Sequence, residues 1–366
     1  MGTLSGWRPG RPRRRPGRRF TRGVAASLAV GLGCSACLAT AAAADARRAD
    51  LITDMPAAGD LAAPANGQML YVLDEARGEV VAIDPFEPTK RRRAVTPRDG
   101  GGAGGGPVAI GCIDTSMLAV LCRTRDGWSL QTHRIQPDTA ADHDKPAQTV
   151  TIGKAAADAG ATRPAAQTSA RGPSGDGPPC LAVSPSRDWL GVVGLPAPFP
   201  AVMRAPIAGS RIGGLSARSC PSLPAGLRPA VATISPAEEF VLFAADAAAE
   251  RAGVFVSFYL PPDPRRLLHL DTSLPRIRDA AYCRTDGTLW VVGGDSENQP
   301  AAQPEGLWRI DAVFRDGRQA ASAVCVARLP GARAVICLSD RAIIVTHGRE
   351  ARTVSRIDPT QPASQP

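Results

Sequence analysis

The sequence predicts an all-β fold, a β-propeller of about six four-stranded blades, and three observations carry that prediction. One strand–turn–strand pattern recurs six times at a spacing near fifty residues. A third strand with its own ending follows most copies. The repeat array also stops one strand short, while an unassigned strand-like piece stands at its beginning.

Each copy has a small or apolar residue, a short polar turn and then an apolar run. The copies are Pro64–Leu73 (PANGQMLYVL), Cys112–Leu121 (CIDTSMLAVL), Val183–Val192 (VSPSRDWLGV), Ile234–Phe243 (ISPAEEFVLF), Cys283–Val292 (CRTDGTLWVV) and Cys337–Thr346 (CLSDRAIIVT). The apolar run begins six residues after the first position in every copy, at Leu70, Leu118, Trp189, Phe240, Leu289 and Ile343. Apolar runs bounded by Ser, Pro, Asp and Gly read as strands joined by tight turns.

The third strands are Val80–Pro85, Leu130–Pro137, Gly253–Leu260, Leu307–Ala312 and Val354–Pro359, several ending in RID-P or a variant of it. Fourth strands fit Gln148–Ile152, Arg266–His269 and Ala323–Ala327. The last repeat lacks its fourth strand, and Ala49–Met55 is free to supply it, which would staple the ring shut and leave no open edge. Two sandwich domains are the alternative, but they would not explain six copies in one register. The organisation expected is a signal peptide over 1–44 and a propeller over 45–360. Its blades lie near 61–98, 107–153, 178–219, 227–271, 276–328 and 331–359 plus 49–55, and 360–366 form a tail.

Once these repeats are laid out, VSPSRDWLGV, ISPAEEFVLF and the RID-P endings resemble the exported propeller repeats of the TolB, YVTN and lactonase-like groups. The likeness covers most of residues 50–359. The groups' S-P-D-G turn is never complete here; Asp-Gly survives only at Asp286-Gly287.

The net charge of +9 suggests a polyanion partner, but its location argues against nucleic acid. Eight arginines and no acids fall within residues 1–22, so the rest of the chain is close to neutral. The uncharged run Gly23–Ala44 follows, with Ala42 and Ala44 suited to a cleavage site. A basic segment, an apolar segment and small residues make an export signal, so the mature chain is expected outside the cytoplasm, periplasmic or extracellular, with no membrane span. Arg18-Arg19-Phe20 resembles a twin-arginine signal and Gly33-Cys34 a lipoprotein cleavage site, which leaves the route and a lipid-anchored form open.

Two insertions, Gly100–Gly106 and Ala155–Pro179, read as loops, the second as disordered. The first has no Lys-Ser/Thr after it and is not a phosphate loop. Strands alternate in direction, so loops between second and third strands share a face with the connections between blades. That face should carry Asp74, Glu75 and Arg77; Arg123, Arg125 and Asp126; Asp246, Glu250 and Arg251; Asp295, Glu297 and Asn298; and His347, Arg349 and Glu350. The candidate binding residues are Asp74, Arg77, Arg123, Asp246, Asp295 and His347, because loops on a rigid scaffold carry function.

Catalytic motifs are missing: no G-x-S-x-G, H-E-x-x-H or EF-hand loop occurs. Asp295-Ser296-Glu297-Asn298 offers oxygen ligands for calcium but reads better as a polar turn. The mature chain's tryptophans do not recur at one repeat position, against a quinone-cofactor dehydrogenase. Cys112, Cys283 and Cys337 share one repeat position in three blades. They are expected to lie beyond disulfide reach and to act as small buried apolar residues. Cys180 opens the third blade and Cys220 closes the same region, which keeps a bridge between them open. His133 and His269 read as structural and His143 as a loop residue. The preferred function is a non-catalytic exported propeller binding a protein, glycan or cell-envelope ligand through the loop face, without a cofactor. The resemblance implies the alternative, a lactonase-like hydrolase with a divalent metal at the channel, for which Asp74, Asp246 and Asp295 are the candidates.

Overall fold

The computed structural model describes residues 46–97, 105–125, 127–135, 145–152, 179–196, 199, 202–217, 227–238, 240–246, 251–257, 267–275, 277–294, 304–311 and 322–362. The chain divides into two units, Met1–Ala41 and Ala42–Pro366, and all described residues belong to the second. The expected signal segment, residues 155–178 of the insertion, Asp126, His143, Cys220, Glu250, Asp295, Glu297 and Asn298 lie outside the described residues.

The described strands are all antiparallel. After β1 (Ala46–Ile52), the first sheet holds β2 (Ala58–Ala62), β3 (Leu70–Asp74), β4 (Glu79–Ile83) and β5 (Arg91–Val95). The second holds β6 (Gly106–Cys112), β7 (Met117–Thr124), β8 (Gly127–Arg134) and β9 (Gln148–Ile152). The third has five strands instead of four: β10 (Cys180–Val183), β11 (Trp189–Val193), β12 (Val202–Ala208), β13 (Arg211–Ile212) and β14 (Ser216–Ala217), the last two both pairing with β12. The fourth holds β15 (Leu227–Ile234), β16 (Phe240–Asp246), β17 (Arg251–Ser257) and β18 (Leu267–Pro275). The fifth holds β19 (Asp279–Tyr282), β20 (Leu289–Gly293), β21 (Gly306–Asp311) and β22 (Ser322–Arg328). The sixth is β23 (Ala334–Cys337), β24 (Ile343–His347) and β25 (Thr353–Pro362), with β1 as its fourth strand.

The first strands of the sheets stand side by side in the order β2, β6, β10, β15, β19 and β23, and β23 neighbours β2. This ring of sheets is a propeller. The apolar runs of the repeat begin β3, β11, β16, β20 and β24 at the expected residues; β7 begins one residue earlier, at Met117. Strands β3, β11, β20 and β24 are buried at every position. A second strand is covered on both faces by neighbouring sheets, so its sequence is continuously apolar rather than alternating.

The core lies between the sheets. Tyr71 and Leu73 meet Ile110 and Leu118 between the first and second sheets. Leu121 and Leu130 meet Leu190 and Val192 between the second and third. Val231 and Val241 meet Ile277 and Trp308 between the fourth and fifth. Leu307 and Val292 meet Val335 and Ile343 between the fifth and sixth, and Ile344 and Val354 meet Leu70 and Val72 where the sixth returns to the first. Between the third and fourth sheets the described link is polar: Glu238 accepts the Ser186 amide at 2.7 Å and Trp189 Nε1–H at 2.9 Å.

Two expectations change. Gly106 opens β6 rather than closing a glycine loop. β5 follows the third strand as Arg-Arg-Arg-Ala-Val, its three arginines exposed and its last two residues buried. It is held by its ladder to β4, so no apolar pattern announces it.

Candidate functional site

The turn joining first and second strands has one backbone requirement in five of the six repeats; the described turn of the second repeat, Ile113–Ser116, has no residue of positive φ. Gly67, Arg187, Glu238, Gly287 and Arg341 all have φ between 60° and 72°. Gly67, Arg187, Glu238 and Arg341 each donate their amide to the carbonyl three residues back: Pro64, Ser184, Ser235 and Leu338. These are the positions of the glycine in S-P-D-G. The turn survives although the glycine is lost in three copies.

Of the residues expected on the opposite face, Asp74 ends β3 with its side chain fully buried. Its Oδ1 accepts the amides of Ala76 (3.1 Å) and Arg77 (3.2 Å), so it builds the turn. Arg77 points outward and lies 3.6 Å from the Asp74 carboxylate and 3.9 Å from Glu79. Arg123, next to last in β7, and Arg125, just after it, are both exposed. Asp246 closes β16 opposite Leu227. His347 ends β24 and is buried inside the sixth sheet rather than on the face. Burial holds its imidazole down at about 4, well below the usual histidine range. Its Nε2 lies 2.7 Å from Ser355 Oγ, and Ser355 donates to Asp50 at 2.5 Å. Ser355's proton is therefore committed to Asp50, and His347 must donate through Nε2–H. The order His–Ser–Asp makes a structural chain and leaves no base on the serine.

The structure brings together a second set near the axis, which the sequence reading missed. Asp60, in the middle of β2, accepts the Leu61 amide (2.8 Å) and, across to the second sheet, the Ile110 amide (2.8 Å). Asp279, at the start of β19, accepts the Ala280 amide (2.8 Å) and, across to the sixth sheet, the Val335 amide (2.7 Å). The two aspartates hold the same repeat position, four residues before Pro64 and Cys283, so extending the repeat upstream would have exposed them. Burial pushes Asp60 up to about 7, and the charge of Glu75 adds to the effect. Burial, and after it the charge of Asp60, raises Asp279 well above the carboxylate range. Cys180 on β10 is raised by burial and by both aspartates, so the three side chains share one enclosed electrostatic environment.

The rim of this region is paired. Glu75 reaches Arg333 of the sixth sheet at 3.2 Å and lies so close over Gly59 that a Cβ there would meet its carboxylate at 2.6 Å. Arg278 pairs with Glu305 and donates to the Ala332 carbonyl at 2.8 Å.

One expectation about cysteines is overturned. Cys283 and Cys337 hold the same repeat position in the fifth and sixth sheets, yet they pack in one apolar cluster and each thiol shifts the acidity of the other. Neighbouring sheets converge at their first strands, so equivalent residues that would be far apart at the rim meet near the axis. Cys180 donates instead to the Ala232 carbonyl of the fourth sheet at 3.2 Å.

No family model matches the chain, and no curated protein matches it. Among solved structures it is similar to hydrazine synthase from Kuenenia stuttgartiensis (12% identity, 81% of this chain and 75% of that one, TM-score 0.53). Others are the gluconolactonase XC5397 from Xanthomonas campestris (15%, 87% and 92%, 0.49) and the calcium-binding regucalcin from Agrobacterium tumefaciens (13%, 86% and 94%, 0.47). At these identities the likeness to the first is one of fold alone.

Proposed function

We propose that the chain is an exported six-bladed propeller, closed by the pairing of β1 with β25, that binds an acidic protein, glycan or envelope ligand through the face carrying the second-to-third strand loops. The observation that supports this is an arc of exposed arginines on three consecutive sheets: Arg349 in the sixth, Arg77 in the first, and Arg123 and Arg125 in the second. Arg123, Arg125 and Arg349 meet no acidic side chain among the described residues. Asp246, at the end of β16, belongs to the same face of the proposal, and Asp74 shapes the turn that presents Arg77. Guanidinium groups on a rigid scaffold suit carboxylate and phosphate groups.

The test is binding of the purified chain to acidic and neutral glycans and to envelope fractions at several salt concentrations. The expected result is salt-sensitive binding to acidic members that Arg77→Glu with Arg123→Glu weakens at least tenfold. Equal binding by the double variant, or no binding to any acidic member, sinks the reading.

A second reading, a hydrolase at the channel, is favoured by the Asp60–Asp279 pair, since a carboxyl that keeps its proton near neutrality is suited to general acid work. A divalent metal does not fit the described residues: no three His, Cys, Asp or Glu side chains among them come together to hold one. This reading therefore rests on the carboxyl pair itself. Ester and lactone hydrolysis by the purified chain, lost in Asp279→Asn, is the outcome that would favour it over binding.

A further inference from the structure

We propose that Cys283 and Cys337 form a disulfide that cross-links the fifth and sixth sheets near the axis of the ring. Both side chains belong to the apolar cluster between these sheets, and each thiol shifts the acidity of the other. The strands that carry them are pinned on either side of the pair. On one side Asp279 accepts the Val335 amide at 2.7 Å; on the other the Thr285 hydroxyl donates to the Ser339 carbonyl at 3.3 Å. Two backbones held this close at two points cannot drift apart between them, and forming the bond asks the sulfurs to close from contact to about 2.05 Å.

The pair differs from every other described cysteine. Cys112 shares the repeat position, but its sulfur donates to the Asp114 carbonyl within its own turn at 2.9 Å. Cys180 donates to a carbonyl of the next sheet. Cys122 packs between the first and second sheets, and Cys325 packs against the cluster between the fourth and fifth. The neighbouring Cys337 holds the Cys283 thiol down at about 6, while Cys337 is raised. Two neighbouring thiols of unlike acidity are the arrangement that favours thiol–disulfide exchange.

Cys337 is partly open to solvent, whereas Cys283 is buried, which sets the order of events. The oxidant is a small disulfide such as oxidised glutathione. The Cys337 sulfur attacks one glutathione sulfur and gives up its own proton to the glutathione that leaves. That glutathione's S–S bond breaks and the first glutathione leaves as a thiol. Cys283 then gives up its proton and attacks the Cys337 sulfur of the mixed disulfide, and the second glutathione leaves. Two protein thiols are oxidised, one glutathione disulfide is reduced to two glutathiones, and both protons end on them.

The test is peptide mapping of the natively folded chain after incubation with oxidised glutathione, blocking of free thiols and digestion without reductant. The expected result is a cross-linked pair of peptides containing Cys283 and Cys337 that separates on reduction. A fall in Tm of about 4 °C in the reduced sample should accompany it. In Cys337→Ser, Cys283 should become free to blocking reagent after denaturation. Full blocking of both cysteines in the oxidant-treated wild type overturns the proposal, as does either one cross-linked to a different cysteine. Because the mapping reads the wild-type chain, a variant that fails to fold does not decide the matter.

Discussion

Ser355 on β25 donates its hydroxyl to Asp50 on β1 at 2.5 Å, joining residues 305 apart in sequence. The bond sits inside the one sheet built from both ends of the described chain, where β1 runs antiparallel to β25 from Arg47 opposite Asp358 to Ile52 opposite Val354. His347 on the next strand donates to the same hydroxyl, so three strands are tied through one buried oxygen. Arg48 donates its Nε–H to the same Asp50 oxygen at 2.7 Å and a second N–H to the other oxygen at 3.1 Å.

Removing that hydroxyl leaves a buried imidazole N–H without an acceptor and a carboxylate with one donor fewer. Ser355→Ala should therefore cost about 2 kcal/mol, more than a neutral surface change. Urea denaturation with an unchanged m-value is the check. Deleting residues 46–52 should do far more, because β25 would become a bare edge. The deletion variant should aggregate or melt without a cooperative transition.

Asp60 and Asp279 give the ring a pH dependence of definite sign. Both are acids whose folded pKa lies above the unfolded value of about 3.9. Between about pH 4 and about pH 7 the folded chain holds more protons than the unfolded one, so stability falls as the pH rises through that window. Asp60→Asn removes one titration and keeps one acceptor for the two amides. The expected outcome is a flatter plot of Tm against pH between 5 and 7.5, at the cost of about 1 kcal/mol on the acid side for the lost inter-sheet bond. A variant curve parallel to that of the wild type would show that Asp60 does not titrate in this range.

His347 works in the opposite direction. Burial lowers its folded pKa to about 4, below the unfolded value of about 6.5. The unfolded chain therefore takes up a proton first as the pH falls. The contribution is intact above about pH 6.5 and is lost progressively down to about pH 4. His347→Gln keeps an N–H for Ser355 and removes the titration. Its stability should decline less on acidification than that of the wild type, a difference opposite in sign to that of Asp60→Asn, and chemical denaturation at pH 4.5, 5.5 and 7 resolves it.

How much of this was legible depends on where the repeat was read. The six-residue offset from turn to apolar run located every second strand within one residue, because those strands are covered on both faces and must be apolar throughout. β5 was invisible because an outermost strand is half solvated and Arg91, Arg92 and Arg93 satisfy it. Asp60 and Asp279 were missed because they lie upstream of the motif, on first strands too short to show a pattern. His347 was placed on a face because its neighbours are loop residues, yet the last position of a second strand still points into the sheet. The Cys283–Cys337 contact needed three-dimensional convergence that spacing along the chain does not carry.

The turn position that S-P-D-G gives to glycine leads to the last expectation. Arg187 and Arg341 hold φ of 64° and 69° there, in the left-handed region that costs a residue with a Cβ roughly 1 kcal/mol. Gly67 and Gly287 take the same conformation at 65° and 72° without that cost. Among the described residues Arg187 and Arg341 contribute to no hydrogen bond beyond their backbone amide to Ser184 and Leu338, and that amide survives in glycine. Arg187→Gly and Arg341→Gly should therefore each stabilise the fold by a few tenths to about 1 kcal/mol, the relieved strain outweighing the extra freedom of glycine in the unfolded chain. The two sites are in different sheets and share no partner, so their effects should add in the double variant. Glu238 has the same backbone, φ 64°, but its carboxylate clamps Ser186 and Trp189 of the third sheet. Glu238→Gly should destabilise by about 2 kcal/mol, because Trp189 Nε1–H then loses its acceptor. Opposite signs at one turn position, read by Tm, would separate backbone strain from side-chain bonding; a Glu238→Gly variant as stable as Arg341→Gly would show that the clamp contributes nothing.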